Sequence, residues 1–524
     1  MEHAELVVLF LLVAVAALTA LARVLDVPYP IMLVIGGSLV GFAPGVPDVE
    51  LDPELVLFIF LPPLLFNAAY FSSLRDLRSN LRPITLSAIA LVLLTTVAVA
   101  IVAHAAIAGL PWAAAFALGA IVSPTDPLAA TTIARRLGVP RGVTSVIEGE
   151  SLVNDGTALV AYRAAVVAVG GSFDLLDATG DFVVNVAGGI AFGVVAGLVL
   201  VQVFKWIVAD DVVGVVLSLA AGYIGYLPAE ELGVSGVLAA VAVGLIVGRR
   251  SPELSTASSR LRGYAFWEVL VFLLNATLFV LVGLQLPAIL SEQEHSAAEL
   301  AGLGMLVSLV VIGTRLLWVF TVPYIIRALD RRASQLARRT GWRTRMVVGW
   351  SGLRGAVSLA AALALPGDFP ERGLLIFLTL CVIFATLVGQ GLTLPALIRR
   401  LDVHDDGSGE LEELLARREA TDAAIAHLQR LGEEEWTRDD TVRRMLALYE
   451  FRGRRLRQRA GELDDGDEDG DLDERSHAYQ RMVREVLDAQ RRRVVELRDE
   501  GAISDDVLHA LERELDLEDQ RLEI

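Results

Sequence analysis

The sequence predicts an all-α polytopic membrane protein that ends in a helical, highly charged tail. Of its 524 residues, 54% are hydrophobic, and the mean hydropathy is +0.56. Soluble domains are usually only about 45–50% apolar. The excess falls before residue 400, in runs long enough to cross ~30 Å of hydrocarbon. From Asp402 onward the composition changes to charged, helix-forming segments.

About thirteen apolar windows separated by polar breaks are the predicted transmembrane helices. The first follows Glu2 and Glu5 without a basic segment or a small-residue cleavage site, which favours a membrane span over a signal peptide. The windows are residues 4–22, 29–44, 53–71, 83–109, 112–134, 143–170, 181–206, 212–228, 233–248, 262–287, 298–326, 345–365 and 372–398.

Positive charge is concentrated in alternate loops between these windows. One set of loops holds 21 Arg and Lys residues, whereas the other set is acidic and contains only Arg372. Cytoplasmic loops carry the excess of Arg and Lys in membrane proteins. We therefore expect the N-terminus outside the cell and the tail in the cytoplasm.

The predicted domains are a transmembrane domain at residues 1–400 and a cytoplasmic helical domain at residues 401–524. Residues 403–524 hold 20 of the 45 positive and 35 of the 63 acidic residues, so they supply −15 of the net charge of −18. This balance argues against nucleic acid or anionic lipid as a partner of the tail. The predicted tail helices are 409–431, 438–462, 475–499 and 504–518.

An acidic linker is predicted at residues 462–474. Its stretch from Asp465 to Gly470 opens like an EF-hand calcium loop, but the twelfth position is Ser476 instead of the glutamate that binds calcium through both oxygens. The pattern therefore favours a solvated linker over a calcium site.

Polar side chains inside the sixth window are the strongest functional signal. Such groups are costly in hydrocarbon and usually face a water-filled path or a partner. At ~100° per residue, Ser151 and Asp155 share one helix face, and Glu150 and Asn154 share the neighbouring face. The first face offers oxygens to a cation, and the second offers an acid that needs a base. This pattern indicates ion transport.

Two windows are predicted to be broken helices. Pro124 and Pro127 bracket Thr125 and Asp126 in the fifth window, and Gly352-Leu353-Arg354-Gly355 interrupts the twelfth. If windows 1–6 and 8–13 are inverted repeats, the two breaks are equivalent, and paired broken helices mark the binding site of many secondary transporters. The alternatives are that proline and glycine merely kink these helices, and that Asp126 simply caps a half-helix.

Five stretches occur in the order typical of one transporter family. They are Phe60-Leu61-Pro62-Pro63-Leu64-Leu65-Phe66, Ser123-Pro124-Thr125-Asp126-Pro127, Glu148-Gly149-Glu150-Ser151-Leu152-Val153-Asn154-Asp155-Gly156, Phe266-Trp267-Glu268 with Asn275, and Gly352-Leu353-Arg354-Gly355-Ala356. In these stretches the chain resembles sodium/proton antiporters of the monovalent cation:proton antiporter-1 family, which contains NhaP proteins and sodium/proton exchangers. The resemblance covers essentially the whole membrane portion.

The resemblance implies an NhaA-like antiporter fold and a homodimer in which a mobile core bundle carries the ion past a dimerisation bundle. It places Asp155 as the group that binds either the cation or a proton. Ser151, Asp126 and the Thr125 carbonyl would add oxygen ligands for sodium, as hard cations prefer. The pairing of Asn154 with Asp155 in this cation- and proton-binding set is typical of electroneutral family members.

Three arginines lie inside the windows, Arg163, Arg315 and Arg354, and Arg163 could lie near a helix end or extend its charge to the membrane surface. Arg315 is near the middle of its window, and an unpaired charge there would be strongly destabilising. Glu150 is the expected structural partner of Arg315, with Arg354 as the alternative partner. The residue types leave this choice open.

Four further residues carry weaker signals. Asn67 replaces a carboxylate that several family members have after the Leu-Pro-Pro run, which could alter the pH response. Glu268 and Asn275 match family positions and are interpreted as structural. His104 is interpreted as a histidine satisfied at a helix end, with a pH sensor as the alternative.

The predicted function is electroneutral exchange of sodium for a proton by alternating access in a prokaryotic plasma membrane. Potassium or lithium could replace sodium, because the ligand types do not separate these cations. A cation channel is less favoured, since no repeated filter sequence is visible. A transporter-like sensor, whose tail signals to a partner, would need ion binding without transport. With the single cysteine Cys381 and no nucleotide loop, metal-ligand cluster or nucleophile constellation, the sequence predicts neither an enzyme nor a bound cofactor.

Overall fold

The computed structural model describes residues 2–43, 53–170, 175–207, 211–291, 295–329, 341–405, 407–459, 470–500 and 502–520. Within these ranges the regular structure is helical, without a strand. The chain divides into two compact units, Met1–Asp405 and Asp406–Ile524. An all-α fold is therefore confirmed.

The first unit contains seventeen of the described helices. They are α1 Glu2–Val24, α2 Tyr29–Gly41, α3 Pro53–Tyr70, α4 Leu74–Ser79, α5 Leu81–Ala106, α6 Trp112–Val122, α7 Leu128–Arg136, α8 Arg141–Val169, α9 Leu175–Ile207, α10 Asp211–Glu231, α11 Gly236–Leu254, α12 Ala257–Leu284, α13 Leu286–Ser291, α14 Ala297–Leu329, α15 Trp342–Trp350, α16 Ala356–Leu363 and α17 Arg372–Leu401. Both α5 and α17 include a π-helical segment, at Leu86–Leu91 and Phe384–Gln390 respectively.

Each of the thirteen predicted windows overlaps one of the longer helices or the two halves of a broken helix. In the described part of the chain, seven helices are long and apolar enough to cross a membrane, and shorter apolar helices accompany them. Two windows are interrupted where the sequence predicts it, between α6 and α7 and between α15 and α16. The number of helices that cross the membrane stays a prediction.

Small residues bring several helix pairs into backbone contact. A Cβ added at Gly37 of α2 would lie 2.6 Å from the Val280 carbonyl oxygen of α12, and one at Gly222 of α10 would lie 2.6 Å from the Pro62 carbonyl of α3. Without a hydrophobic force between helices in lipid, close packing of this kind supplies much of the attraction. The glycines thus fix how the scaffold around the broken helices is assembled.

The second unit has four described helices, α18 Ser408–Leu431, α19 Asp439–Arg459, α20 Gly470–Asp499 and α21 Asp505–Gln520. The predicted start of α20, residue 475, is wrong by five residues. The helix begins at Gly470. The helix therefore includes part of the predicted linker 462–474. Residues 460–469, which hold the rest of that linker, lie outside the described residues.

Candidate ion-binding site

The site is built where the two helix breaks meet. The chain between α6 and α7 contacts the chain between α15 and α16, and the Asp126 backbone N–H donates to the Leu353 carbonyl over 2.7 Å. Each break leaves backbone groups without partners in their own helix, and such groups are tolerated at membrane depth only inside protein or beside water. The two breaks satisfy part of this need for each other.

Asp126 stands at the positive end of a half-helix. Its Oδ1 atom accepts a hydrogen bond from the Leu128 N–H over 2.9 Å, which caps α7. The carboxylate also packs against Gly355, where an added Cβ would overlap the Asp126 side chain. The geometry thus includes the capping role considered for Asp126, and the same side chain also lines a cavity described below.

Arg354 stands at the negative ends of the other two half-helices. Its fully buried guanidinium donates to the carbonyls of Val122 (3.0 Å) and Ser123 (3.3 Å) at the end of α6, and to that of Gly352 just after α15. Carbonyls at a helix C-terminus carry partial negative charge. Arg354 is therefore held by backbone dipoles, a role that the sequence reasoning missed.

Glu150 pairs with Arg315. The two side chains form a bidentate ion pair, with one contact of 3.2 Å between Arg315 Nη2 and Glu150 Oε2. The pair is about 3% exposed on each side. Of the two partners left open for Glu150, the structure places Arg315 on the carboxylate, and this joins α8 to α14.

Asn154 extends the same network to the first break. Its Nδ2 atom donates to Thr125 Oγ1 over 2.9 Å and to the Thr125 carbonyl over 3.3 Å, and Thr125 Oγ1 donates to Glu150 Oε1 over 3.3 Å. The Asn154 side chain does not line the cavity. The structure therefore places Asn154 against Thr125, as a group that positions the chain next to the cavity.

A cavity of about 1000 Å³ reaches the predicted ligands from one side of the unit. Asp155, Ser151, Thr125 and Asp126 line it together. Its walls also include three residues from the Arg-rich side of the unit, Arg23, Arg135 and Glu148. Four of the five residues predicted to bind the ion thus share one water-accessible space.

Asp155 differs from the buried charges Glu150, Arg315 and Arg354, because no described group donates a hydrogen bond to it. Glu150, Arg315 and Arg354 all have protein partners. Asp155 is partly buried and faces the cavity from the middle of α8. A carboxylate in this setting needs a cation, a proton or water as its partner.

The opposite side of Asp155 is nearly closed. A pocket of about 10 Å³ touches Asp155 there, and its wall is mostly apolar. Asp155, Pro124, Val357 and Ser358 border both this pocket and the large cavity. Beyond the pocket, Arg163 of α8 forms an ion pair with Glu230 of α10. The space beyond Asp155 is thus far smaller than the cavity on the Arg-rich side.

The weaker sequence signals fall at different places. Asn67, Glu268 and Asn275 line the large cavity, and Asn275 also donates to the Val271 carbonyl over 2.9 Å. The His104 ring contacts the Leu110 carbonyl at 2.7 Å and stacks on Trp112 with ring centroids 4.0 Å apart. His104 therefore has local partners at the end of α5, as expected of a structural histidine.

Paired broken helices around an unpartnered carboxylate define a secondary-active ion transporter as the class of protein. A model of the family described as "Sodium/hydrogen exchanger, transmembrane" matches residues 9–400. The chain belongs to this family of multi-pass membrane transporters, which confirms the resemblance identified from the five motifs.

Relatives of the chain are described as exchangers or antiporters of monovalent cations and protons. An uncharacterised Na⁺/H⁺ exchanger of Mycobacterium tuberculosis is 37% identical over 98% of this chain and 96% of its own length. The low-affinity Na⁺/H⁺ antiporter NhaS1 of Synechocystis is 33% identical over 82% of this chain and 80% of its own. A sodium, potassium, lithium and rubidium/H⁺ antiporter of Bacillus pumilus is 33% identical over 76% of this chain and 62% of its own.

The fold matches that of a solved antiporter. The sodium proton antiporter MjNhaP1 from Methanocaldococcus jannaschii at pH 8 superimposes with a TM-score of 0.58 at 21% identity, covering 76% of this chain and 99% of that one. This likeness confirms the predicted antiporter fold.

Proposed function

We propose that the protein exchanges one monovalent cation for one proton at Asp155, by alternating access and without net charge movement. The observation that carries this proposal is the unpartnered Asp155 carboxylate at the inner end of the cavity. Both a cation and a proton neutralise the same carboxylate, so the two substrates compete for it. Such competition couples cation transport to proton transport, and no separate coupling site is needed.

The residues around Asp155 divide into ligands and supports. Ser151 and the backbone of Thr125 offer oxygens beside the carboxylate, and Asp126 offers a second carboxylate already engaged at the end of α7. Asn154 is uncharged, so Asp155 is the one carboxylate that exchanges a proton for a cation. A carrier that is neutral with either substrate would move no net charge in a full cycle.

Alternating access is supported by the contrast between the two sides of Asp155. On the Arg-rich side the cavity is open, whereas on the other side apolar contacts close the path. Next to the site, Leu152 of α8 belongs to a buried apolar cluster with Leu61 of α3, Tyr226 of α10 and Val237 of α11. Because this contact is apolar, a core bundle of α8 and the broken helices can shift against a dimerisation bundle, and the Arg163–Glu230 ion pair between α8 and α10 is a polar contact that such a shift would change.

In this account the described state faces the cytoplasm. The Arg-rich loops then lie on the cytoplasmic side of a prokaryotic plasma membrane, with the N-terminus outside the cell and the tail in the cytoplasm. The protein works as a homodimer, in keeping with the resemblance to its family. Sodium is the first candidate substrate because the relatives' names specify it, and the Bacillus pumilus name extends the candidates to potassium, lithium and rubidium.

The single-carboxylate mechanism predicts how the apparent KM for sodium depends on pH. If one proton competes with one cation, the KM rises by at most about tenfold for each pH unit of acidification. Two carboxylates that both release protons would give a steeper rise. The measurement is sodium-driven proton movement in proteoliposomes across a pH series, and a slope approaching two would contradict the proposal.

A further inference from the structure

Ser358 of α16 is a buried serine that lines the same cavity as Asp155. It is 2% exposed, yet its hydroxyl has no hydrogen-bond partner among the described residues. Several other buried hydroxyls of this unit bond to the preceding turn of their own helix. Examples are Ser351 to the Val347 carbonyl (2.7 Å) and Ser308 to the Gly304 carbonyl (2.7 Å). Because Ser358 lines the large cavity, its hydroxyl can bind an ion or water there.

Ser358 also lies at the boundary between two spaces. It borders both the large cavity and the small pocket beyond Asp155. Four residues border both spaces, and the other three are Asp155, Pro124 and Val357. Asp155 and Ser358 are therefore the two polar side chains at the boundary between the open and the closed side of the site.

We infer that Ser358 is an oxygen ligand of the transported cation, supplied by the second broken helix opposite Asp155. This inference deepens the proposed function and rests on it. A serine hydroxyl is a hard oxygen donor of the kind that alkali cations prefer. Because Ser358 touches the spaces on both sides of Asp155, it stays beside the cation when access changes from one side to the other.

The contribution of Ser358 concerns the cation and not the proton. A proton on Asp155 needs no further oxygen ligand, whereas a partly dehydrated cation needs several. Loss of the hydroxyl should therefore weaken cation binding and leave proton binding to Asp155 as it is. A change that merely disturbed the packing around Asp155 would alter both.

The test compares Ser358→Ala with the matched control Ser308→Ala in proteoliposomes. One ligand to a charged group contributes enough that its loss should raise the KM for sodium about tenfold. We expect this rise at alkaline pH, where protons do not compete, with kcat and the proton competition constant within about twofold of wild type. Ser308→Ala removes a hydroxyl that is bonded within its own helix and should leave all three constants unchanged.

Three results would overturn the assignment. They are an unchanged KM in Ser358→Ala, an equal rise in Ser308→Ala, and a parallel shift of the proton competition constant. In each case wild-type exchange would still support the proposed function. If the wild-type protein showed no cation-dependent proton movement at all, the proposed function itself would fail, and the inference with it.

Discussion

At the scale of single residues, the site separates charges that are paired from one that is not. Glu150 is matched by Arg315, and Arg354 is matched by backbone carbonyls. The sequence could predict that these charges need partners, because unpaired charges are so costly in a membrane. It could not predict that Arg354 bonds to carbonyls, since that depends on how the two breaks cross in space.

The buried ion pair gives the first prediction at this scale. Glu150→Ala leaves Arg315 without its carboxylate in a site that water barely reaches, and should lower the free energy of unfolding by about 3–5 kcal/mol. The measurement is thermal or denaturant unfolding of the purified protein in detergent. The double variant Glu150→Leu/Arg315→Met should recover most of the loss.

The control is an exposed ion pair that joins α8 to α7. Glu148 bonds to Arg135 over 2.6 Å, but the Arg135 side chain is 70% exposed. Exposed pairs contribute at most about 1 kcal/mol, so Glu148→Ala should have a small effect. Equal losses in the two alanine variants would show that Glu150 is not a buried structural anion.

At the scale of helices, the proline and glycine positions made both breaks predictable. Pro124 and Pro127 cannot continue a helix hydrogen-bond ladder, and Gly352 and Gly355 flank a charged residue. The contact between the two breaks depends on the tertiary fold. The sequence indicated it only through the assumption that windows 1–6 and 8–13 are inverted repeats. The sequence did not indicate Ser358, because a serine in an apolar helix carries no functional signal until its surroundings are known.

Gly355 gives the prediction at this scale. In Gly355→Ala the added Cβ would overlap the Asp126 carboxylate and push it from the start of α7. We expect the rate of cation/proton exchange to fall by at least about tenfold, as a misplaced site group can cost more than that. The matched control is Gly313→Ala in α14, where an added Cβ meets open space. Near-normal exchange by a well-folded Gly355→Ala protein would contradict this account of the crossing.

At the scale of the whole molecule, the chain combines a transporter unit with a separate charged tail. Composition alone predicted the division near residue 400, and the two compact units are Met1–Asp405 and Asp406–Ile524. The family match ends at residue 400, so it leaves the tail without an assigned role. The acidic sequence indicates a solvated surface and does not specify what the tail does.

Removal of the tail tests whether the transporter unit is sufficient. A chain that ends after Asp405 retains the cavity, both breaks and the Glu150–Arg315 pair, so it should still exchange cations for protons. We expect kcat within about threefold of the full chain, since the tail supplies none of the site residues. The assay is exchange in proteoliposomes at equal protein density, and a correctly inserted but inactive truncated protein would show that the tail is required.

The most direct test of the central claim compares wild type with Asp155→Asn in proteoliposomes, with and without an imposed membrane voltage. The account predicts sodium-dependent proton movement in wild type, no effect of voltage on its rate, and loss of exchange in Asp155→Asn. Asparagine cannot carry the exchanged proton, and it fills nearly the same space as aspartate. Exchange that persists in Asp155→Asn, or that voltage accelerates in wild type, would contradict electroneutral transport through this single carboxylate.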